Sequence, residues 1–299
     1  MAEPLILFWT DAWIDLGRAQ RNAAGRYRLT TDRHELAAAD AVVFPIPTLG
    51  PGPAERAHPD QVWVMWSMEC EVHYPNVTSR HFRRQYDLSA TYRLDSDVPL
   101  PYVRAHRFDA LPPLVPIEQR HDVPVSAWIS SGWDKWGRDE YLLTLMQHVP
   151  VHSYGRVGRN AQLEHDEGAK SKVAAIANYR FTIAFENSIA TDYVTEKFFQ
   201  PLTAGSVPIY RGAPNVRDFA PAEHCYIDAD DFAGPQELAE FIRSMSDTDY
   251  AAYHAWRDEG ASEAFRTRYA PYDEHTFARL ARAVTAVQIG RRAAARHTS

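Results

Sequence analysis

Two blocks of alternating β-type and helical segments are the feature that most constrains the fold of this chain. In the first block, short apolar runs predict strands over 4–9, 41–44, 62–68 and 88–94, with a helix over 32–39. In the second block, predicted strands over 125–130, 151–154, 181–186, 207–210 and 225–228 alternate with helices over 138–148, 168–177, 194–204 and 235–245. Such alternation indicates parallel sheets covered by helices.

A proline-rich segment separates the two blocks. Residues 111–124 contain four prolines and lack periodicity, which is typical of a linker. A last helical pattern over 273–289 follows the second block. We therefore predict two doubly wound α/β domains that bind ligands at the carboxyl ends of their strands. The predicted boundaries are 1–118 for an N-terminal domain, 119–270 for a C-terminal domain and 271–299 for a helix and tail.

Composition excludes several classes of function. The 299 residues carry a formal net charge of −7, which argues against a nucleic-acid partner. The two cysteines, Cys70 and Cys225, are too few for a disulfide framework. The sequence contains neither a P-loop nor a dinucleotide-binding glycine motif. Its apolar runs are too short to cross a bilayer, so we expect a cytoplasmic protein whose arginine-rich tail makes at most peripheral membrane contact.

The most informative segment is the string FENSIATDYVTEK at 185–197, which joins a predicted strand to a predicted helix. The start of a helix attracts phosphate, and Lys197 adds a full positive charge there. Glu196 offers hydrogen-bond acceptors for ribose or sugar hydroxyls, and Asp192 is a candidate N-cap. These features suggest a pocket for a diphosphate sugar; the alternative is a solvated Glu–Lys pair. Pro201 predicts a kink or an early end of the helix.

Two further charged groups follow predicted strands. Lys135 and Arg138 come after the strand at 125–130, and the guanidinium of Arg138 can bind two phosphate oxygens. The alternative for Arg138 is an ion pair with Asp139. Glu69 follows the strand at 62–68, where a carboxylate is well placed to act as a base. The alternative for Glu69 is a salt bridge on a tryptophan-rich core strand.

Together these motifs resemble the α-1,3/α-1,4-fucosyltransferase family, glycosyltransferase family 10, in its soluble bacterial form. The matching stretches are WSMECEVH at 66–73, TYRLDSDV at 91–98, GRDEYL at 137–142, FENSIATDYVTEK at 185–197 and AGSVPIYRGAPNVRDFAP at 204–221. The resemblance implies a GT-B fold, with two Rossmann-like domains facing across a cleft. The N-terminal domain would then serve the acceptor, and the C-terminal domain would bind the GDP-sugar.

The resemblance also implies the reaction. It is the inverting transfer of L-fucose from GDP-β-L-fucose to a hydroxyl, O3 or O4 of an N-acetylglucosamine or glucose unit, on an oligosaccharide or glycoconjugate. One alternative keeps the fold and mechanism but changes the GDP-sugar or uses a non-glycan acceptor. A second alternative is a non-catalytic GDP-sugar-binding protein.

Residue roles follow from the same resemblance. Glu69 matches the general base, Arg138 and Lys197 match residues that hold the diphosphate, and Glu196 matches a carboxylate on the ribose or sugar. The remaining donor-pocket candidates are Ser130, Tyr154, Glu186, Asn187 and Tyr193, and the acceptor-side candidates are His73, Trp133 and Trp136. No obligatory cofactor or metal site is implied, and a divalent metal would be at most a stimulant. Asp95 and Asp97 form a DxD sequence, but they lie within the family's own motif.

Overall fold

The computed structural model describes residues 3–10 and 14–297. The chain divides into two compact units, one formed by Met1–Pro101 with Tyr272–Ser299 and the other by Tyr102–Pro271. Each unit contains one five-stranded sheet. The strands are β1 Leu5–Phe8, β2 Arg28–Thr30, β3 Ala41–Pro45, β4 Val62–Ser67, β5 Leu88–Thr91, β6 Val125–Ala127, β7 Val151–Ser153, β8 Phe181–Phe185, β9 Val207–Arg211 and β10 Ile227–Asp228. The α-helices are α1 Leu16–Arg21, α2 Arg80–Arg83, α3 Arg138–Leu145, α4 Ala169–Ile176, α5 Glu196–Ala204, α6 Pro235–Ser244, α7 Asp247–Ala252, α8 Trp256–Glu259, α9 Glu263–Tyr269 and α10 Thr276–His297.

The two sheets have the same topology. The first has the order β2-β1-β3-β4-β5 and the second β10-β9-β8-β6-β7, and every neighbouring pair is parallel. Counted from its own first strand, each sheet therefore has the doubly wound order 2-1-3-4-5. The predicted pair of Rossmann-like α/β domains is confirmed. In such sheets ligands bind where the order reverses, which is between β1 and β3 and between β6 and β8.

Burial explains why the central strands could be recognised. Every residue of β3 (AVVFP) and β8 (FTIAF) is buried, as expected for parallel strands with helices on both faces. In the second unit, Phe181 and Ile183 pack with Leu142 of α3 and Leu238 of α6. Each sheet thus has its own apolar core, and polar side chains collect at the strand ends.

The ends of the two units differ from the predicted boundaries. The structural units change at 101/102, whereas the sequence analysis placed the boundary at 118/119. The intervening segment belongs to the second unit because Phe108 packs on Phe265, with ring centroids 5.0 Å apart. The last helix belongs to the first unit because Phe277 stacks on Trp66 at 5.8 Å.

Three local predictions need correction. Only Arg33–Glu35 of the predicted helix at 32–39 is helical, as a single 3-10 turn capped by the side chain of Asp32. The edge strand Arg28–Thr30 has no apolar run and was not predicted. Helix α5 begins at Glu196 because Thr195 is its N-cap. Asp192 therefore does not cap this helix.

Candidate donor and base sites

Glu186, the residue directly after β8, organises the loop that leads to α5. Its side chain is fully buried. The two carboxylate oxygens accept hydrogen bonds from the backbone N–H of Thr195 at 2.7 Å and from the Thr195 hydroxyl at 2.8 Å. Because Thr195 is the N-cap, Glu186 fixes the place where α5 begins.

Lys197 lies in the first turn of α5, beside Glu186 and Glu196. Its Nζ is 3.0 Å from the Thr195 hydroxyl and 3.4 Å from one carboxylate oxygen of each glutamate. The Lys197 side chain is 24% exposed and that of Glu196 is 43% exposed. A partly accessible ammonium group at a helix start is a suitable place for a phosphate.

The carboxylates keep Lys197 charged. Burial alone would lower its pKa, but the charges of Glu186 and Glu196 outweigh burial and raise it. Burial raises the pKa of Glu186, and Lys197 opposes that shift. Burial alone would also raise the pKa of Glu196, yet the charges of Lys197 and Lys172 lower this pKa overall. Lys197 is therefore a lasting positive charge at this sheet edge.

Lys172 is a second lysine of this group, which the sequence analysis missed. It lies on α4, and burial lowers its pKa while the charges of Glu196, Lys197 and Glu186 act on it. Lys172 and Lys197 line one small recess with Gln200. The sequence gives no local signal for this residue, because it is one of two lysines in the predicted helix at 168–177 and only tertiary packing brings α4 to α5.

Arg138 begins α3, beyond the end of β6, and β6 pairs with β8. Its side chain is only 1% exposed. The guanidinium donates to the Ser131 carbonyl at 2.9 Å and is 3.3 Å from Asp139. Asp134 caps the helix by accepting the backbone N–H groups of Gly137 and Arg138 at 2.9 and 2.8 Å. The ion pair with Asp139 is thus formed.

The other donor-side candidates occupy the same unit. Asn187 is buried, and no described residue hydrogen-bonds its Oδ1. Tyr193 is buried, and its carbonyl accepts from the Tyr210 hydroxyl at 3.4 Å. Tyr154 stacks on Trp128 at 4.1 Å. The Ser130 carbonyl accepts from Arg156 at 3.3 Å. A buried acceptor such as Asn187 Oδ1 is suited to a ligand, because it is costly to leave unpaired.

Asp192 and Trp136 have other contacts than those predicted. Asp192 has a positive φ of 67° and pairs with Asn215, which donates to its Oδ1 at 2.8 Å. The Trp136 indole donates to the Glu186 carbonyl at 2.9 Å, and the Arg211 guanidinium lies 4.4 Å from its ring centroid. Trp136 therefore supports the Glu186 backbone. Trp133 is exposed.

In the first unit, Glu69 lines a cavity of about 280 Å³ near the ends of β4 and β5. Glu69 is half-buried. Glu71 lines the same cavity and accepts a short hydrogen bond from the Tyr92 hydroxyl. Arg93 lies 3.5 Å from Glu71. Burial, followed by Glu71, raises the pKa of Tyr92, so the hydroxyl remains a donor. His73 is close in the chain, where its N–H donates to the Cys70 carbonyl at 3.1 Å.

The DxD carboxylates have separate protein partners. Arg93 binds Asp95 through two hydrogen bonds of 2.9 and 3.0 Å. Asp97 accepts from the backbone N–H of Ser89 at 2.8 Å and from its hydroxyl at 2.6 Å. Within residues 3–10 and 14–297, no group of three or more His, Cys, Asp or Glu side chains is arranged to hold a metal ion.

Two family descriptions match this chain. "Fucosyltransferase, N-terminal" matches residues 1–103, and "Glycosyltransferase family 10 (fucosyltransferase) C-term" matches residues 119–294. The chain belongs to glycosyltransferase family 10. This membership agrees with the motif resemblance found in the sequence.

Several curated relatives are about a third identical to this chain over the aligned residues. Human "Alpha-(1,3)-fucosyltransferase 7" is 34% identical over 246 residues, which cover 80% of this chain and 68% of the human protein. An Arabidopsis thaliana "Putative fucosyltransferase-like protein" is 34% identical over 74% of this chain and 43% of its own length. "GDP-fucose protein O-fucosyltransferase 3" of Canis lupus familiaris is 30% identical over 86% of this chain and 58% of its own length. The chain thus spans less than two thirds of several curated relatives.

A solved structure has the same fold. The crystal structure of an alpha1,3-fucosyltransferase with GDP matches with a TM-score of 0.65 over 95% of this chain and 91% of that one, at 16% identity. In the described part of this family 10 chain, no helix combines the length and apolar character needed to cross a membrane.

Proposed function

We propose that this chain transfers L-fucose from GDP-β-L-fucose to a hydroxyl of a glycan or glycoconjugate, with inversion at the anomeric carbon. The observation that carries the proposal is the position of Lys197 in the first turn of α5, 3.4 Å from the buried carboxylate of Glu186. This arrangement presents a lasting cation at a helix start on the carboxyl edge of a doubly wound sheet, where an anionic ligand binds best.

The donor is proposed to bind the second unit. Its diphosphate would contact Lys197 and the first turn of α5, with Lys172 adding a second positive charge. Arg138 would contribute only after exchanging its bonds to Ser131 and Asp139, because its side chain is buried. Glu196, whose side chain is 43% exposed, would accept hydrogen bonds from hydroxyls of the ribose or sugar while it remains paired with Lys197.

Glu69 of the first unit is proposed as the general base. The acceptor oxygen attacks the anomeric carbon, its proton passes to the Glu69 carboxylate, and the bond between the anomeric carbon and the phosphate oxygen breaks. GDP leaves with that electron pair. Positive groups fixed near the leaving phosphate stabilise the developing charge, which is commonly a large share of catalysis. Glu71 lines the same cavity, where it accepts from Tyr92 and lies 3.5 Å from Arg93.

The test is turnover by the full chain with GDP-fucose and N-acetyllactosamine. GDP release that depends on the acceptor, with a fucosylated product of α-configuration seen by NMR, is the expected result. A panel of GDP-mannose, GDP-arabinose and GDP-fucose tests the sugar. Acceptor-dependent release from another GDP-sugar but not from GDP-fucose would contradict the fucose assignment. Absence of turnover with any donor, despite GDP binding, would favour a non-catalytic binding protein.

A protein hydroxyl is a second candidate acceptor. It is favoured by the canine relative, whose name describes a protein O-fucosyltransferase and which matches 86% of this chain. Folded protein domains with accessible Ser and Thr residues should therefore be assayed beside the disaccharide, with mass spectrometry to find any added deoxyhexose.

A further inference from the structure

A cavity of about 900 Å³ opens in the second unit, away from the candidate donor site. Its walls come from the segment 108–117 and from residues of α7 and α8 with their flanking loops. Arg120 lines the cavity and donates a hydrogen bond of 2.8 Å to the carbonyl of Tyr179, which lies just before β8. Glu186 comes after β8. The cavity and the donor candidates therefore lie toward opposite ends of this strand.

Two arginines lining this cavity have neutral partners. Arg120 is 8% exposed and donates to the Tyr179 carbonyl, the Tyr250 hydroxyl at 2.7 Å and the Val115 carbonyl at 3.0 Å. Arg257 donates to two backbone carbonyls at 2.7 and 2.6 Å. Within the described chain, neither guanidinium has a carboxylate inside salt-bridge distance. A buried charge without a counter-charge is unfavourable, so an anion would stabilise Arg120, and the half-buried Arg257 would add to the binding of that anion.

His254 adds an unused hydrogen-bonding group to the same wall. It is 9% exposed, and no described residue bonds its buried Nε2. Burial, aided by the charges of Arg120 and Arg257, lowers the pKa of His254 to about 3. The imidazole is therefore neutral near pH 7, and its Nε2 is buried beside the two arginines.

The rest of the lining is mainly apolar, with Arg266 and four carboxylates. Leu114 and Ile117 are 38% and 37% exposed, which is high for large apolar side chains. Of the acidic lining residues, Asp109 pairs with Arg266 at 2.6 Å and Asp247 pairs with Arg180 at 3.1 Å. Asp258 and Glu259 are exposed. The cavity thus combines a cationic wall with a hydrocarbon-binding surface.

We propose that this cavity binds an amphipathic anion: a phosphate or carboxylate group bound by Arg120 and Arg257, joined to a hydrocarbon body that covers Leu114 and Ile117. The volume is in the range of pockets that enclose a small organic ligand. The site is independent of the proposed fucosyl transfer, because none of its residues belongs to the donor or base candidates.

The binding test uses calorimetry on the full chain with saturating GDP present. The probes are octyl phosphate, octanoate, inorganic phosphate and octyl glucoside, all below their micelle concentrations. We expect octyl phosphate or octanoate to bind at least about tenfold more tightly than inorganic phosphate, because a buried alkyl chain contributes to affinity. The uncharged octyl glucoside should also bind at least about tenfold more weakly than the anionic amphiphiles, because it lacks the charged head group. Octyl glucoside binding equal to that of both anionic amphiphiles would overturn the proposal.

Variants locate the binding. Arg257→Gln and Ile117→Asp should each weaken octyl phosphate binding by about tenfold, by loss of a charge-assisted bond and by repulsion of the alkyl chain, respectively. Arg159→Gln removes an exposed cation outside the cavity and should change nothing. Ile117 is partly exposed, so its variant keeps the test valid if Arg257→Gln does not fold. Wild-type affinity in Ile117→Asp, or loss of octyl phosphate binding when GDP is added, refutes the site.

Discussion

The two units have one strand order and two different kinds of chemistry at their strand ends. After β4 and β5 of the first unit come Glu69, Glu71, Tyr92 and Arg93, which form a cavity with carboxylates in its wall. After β8 of the second unit comes a buried glutamate that fixes a helix start bearing Lys197. We therefore propose that one backbone topology serves proton transfer in the first unit and anion binding in the second, because function depends on the residues that follow the strands.

The largest expected effect tests the first half of this comparison. Glu69→Gln should lower kcat by at least about a hundredfold while leaving the Kd for GDP unchanged, because the amide cannot accept the proton. Stopped assays of GDP release and calorimetry measure the two quantities. Glu55→Gln, an exposed residue of the same unit, is the matched control. If Glu69→Gln turns over at the wild-type rate, the base must be sought elsewhere.

Lys197→Ala tests the second half. It should weaken GDP binding by about tenfold or more, because a charge-assisted contact to phosphate is lost. Lys197→Arg keeps the charge and should recover most of the affinity. The control is Lys170→Ala, because Lys170 is highly exposed and pairs only with Glu167. Unchanged calorimetric affinity in Lys197→Ala would show that the second unit does not bind the diphosphate here.

Acid sensitivity is expected from His254. Its pKa in the folded protein is about 3, against an ordinary value of 6.5. As pH falls below about 6.5, His254 binds a proton in the unfolded chain but not in the folded chain. The free energy of unfolding is therefore highest above this pH and decreases toward pH 3. Between pH 7 and pH 5 the loss from this group is about 2 kcal/mol.

Urea unfolding at both pH values measures that loss. His254→Gln should have a correspondingly smaller difference between pH 7 and pH 5, whereas His81→Gln, at an exposed position of the first unit, should keep the wild-type difference. Equal pH dependence in the wild type and His254→Gln would mean that His254 is protonated in the folded protein.

The smallest expected effect concerns Lys172. Lys172→Ala should weaken GDP binding by about two- to fivefold, as expected for a charge that acts without direct contact. Because burial lowers the pKa of Lys172, the difference from the wild type should shrink as pH rises through the alkaline range. Titrations at two pH values check both points. A Lys172→Ala effect as large as that of Lys197→Ala would make the two lysines equal partners.

Much of the fold could be predicted because its determinants are local. The strand at 181–186 and the helix ending at Ala204 were predicted within two residues, and Gly205 has the left-handed conformation that its position after the helix suggested, with φ 89°. The edge strand Arg28–Thr30 was missed because it is polar and receives its hydrogen bonds from β1. Its strand character depends on a neighbour and not on its own residues.

The sequence predicted which residues form the candidate site better than it predicted their bonding partners. The motif at 185–197 identified Glu196 and Lys197, while the partner of each charge was left open. Thr195 took the capping position proposed for Asp192, because Glu186 reaches its N–H and Asn215 binds Asp192. The side chain of Arg138 is buried within the second unit, where it bonds to Ser131 and Asp139. These pairings are decided by strands and helices far apart in the chain.

The sequence by itself determined that the chain has two α/β units and belongs to glycosyltransferase family 10, because buried strands and a long motif are written in consecutive residues. Only the tertiary structure decided that Lys172 joins Lys197 and that α10 packs with the first sheet. It also decided that Arg120, Arg257 and His254 meet in one cavity. The physical reason is that the burial and charge of a side chain depend on neighbours brought together only by folding.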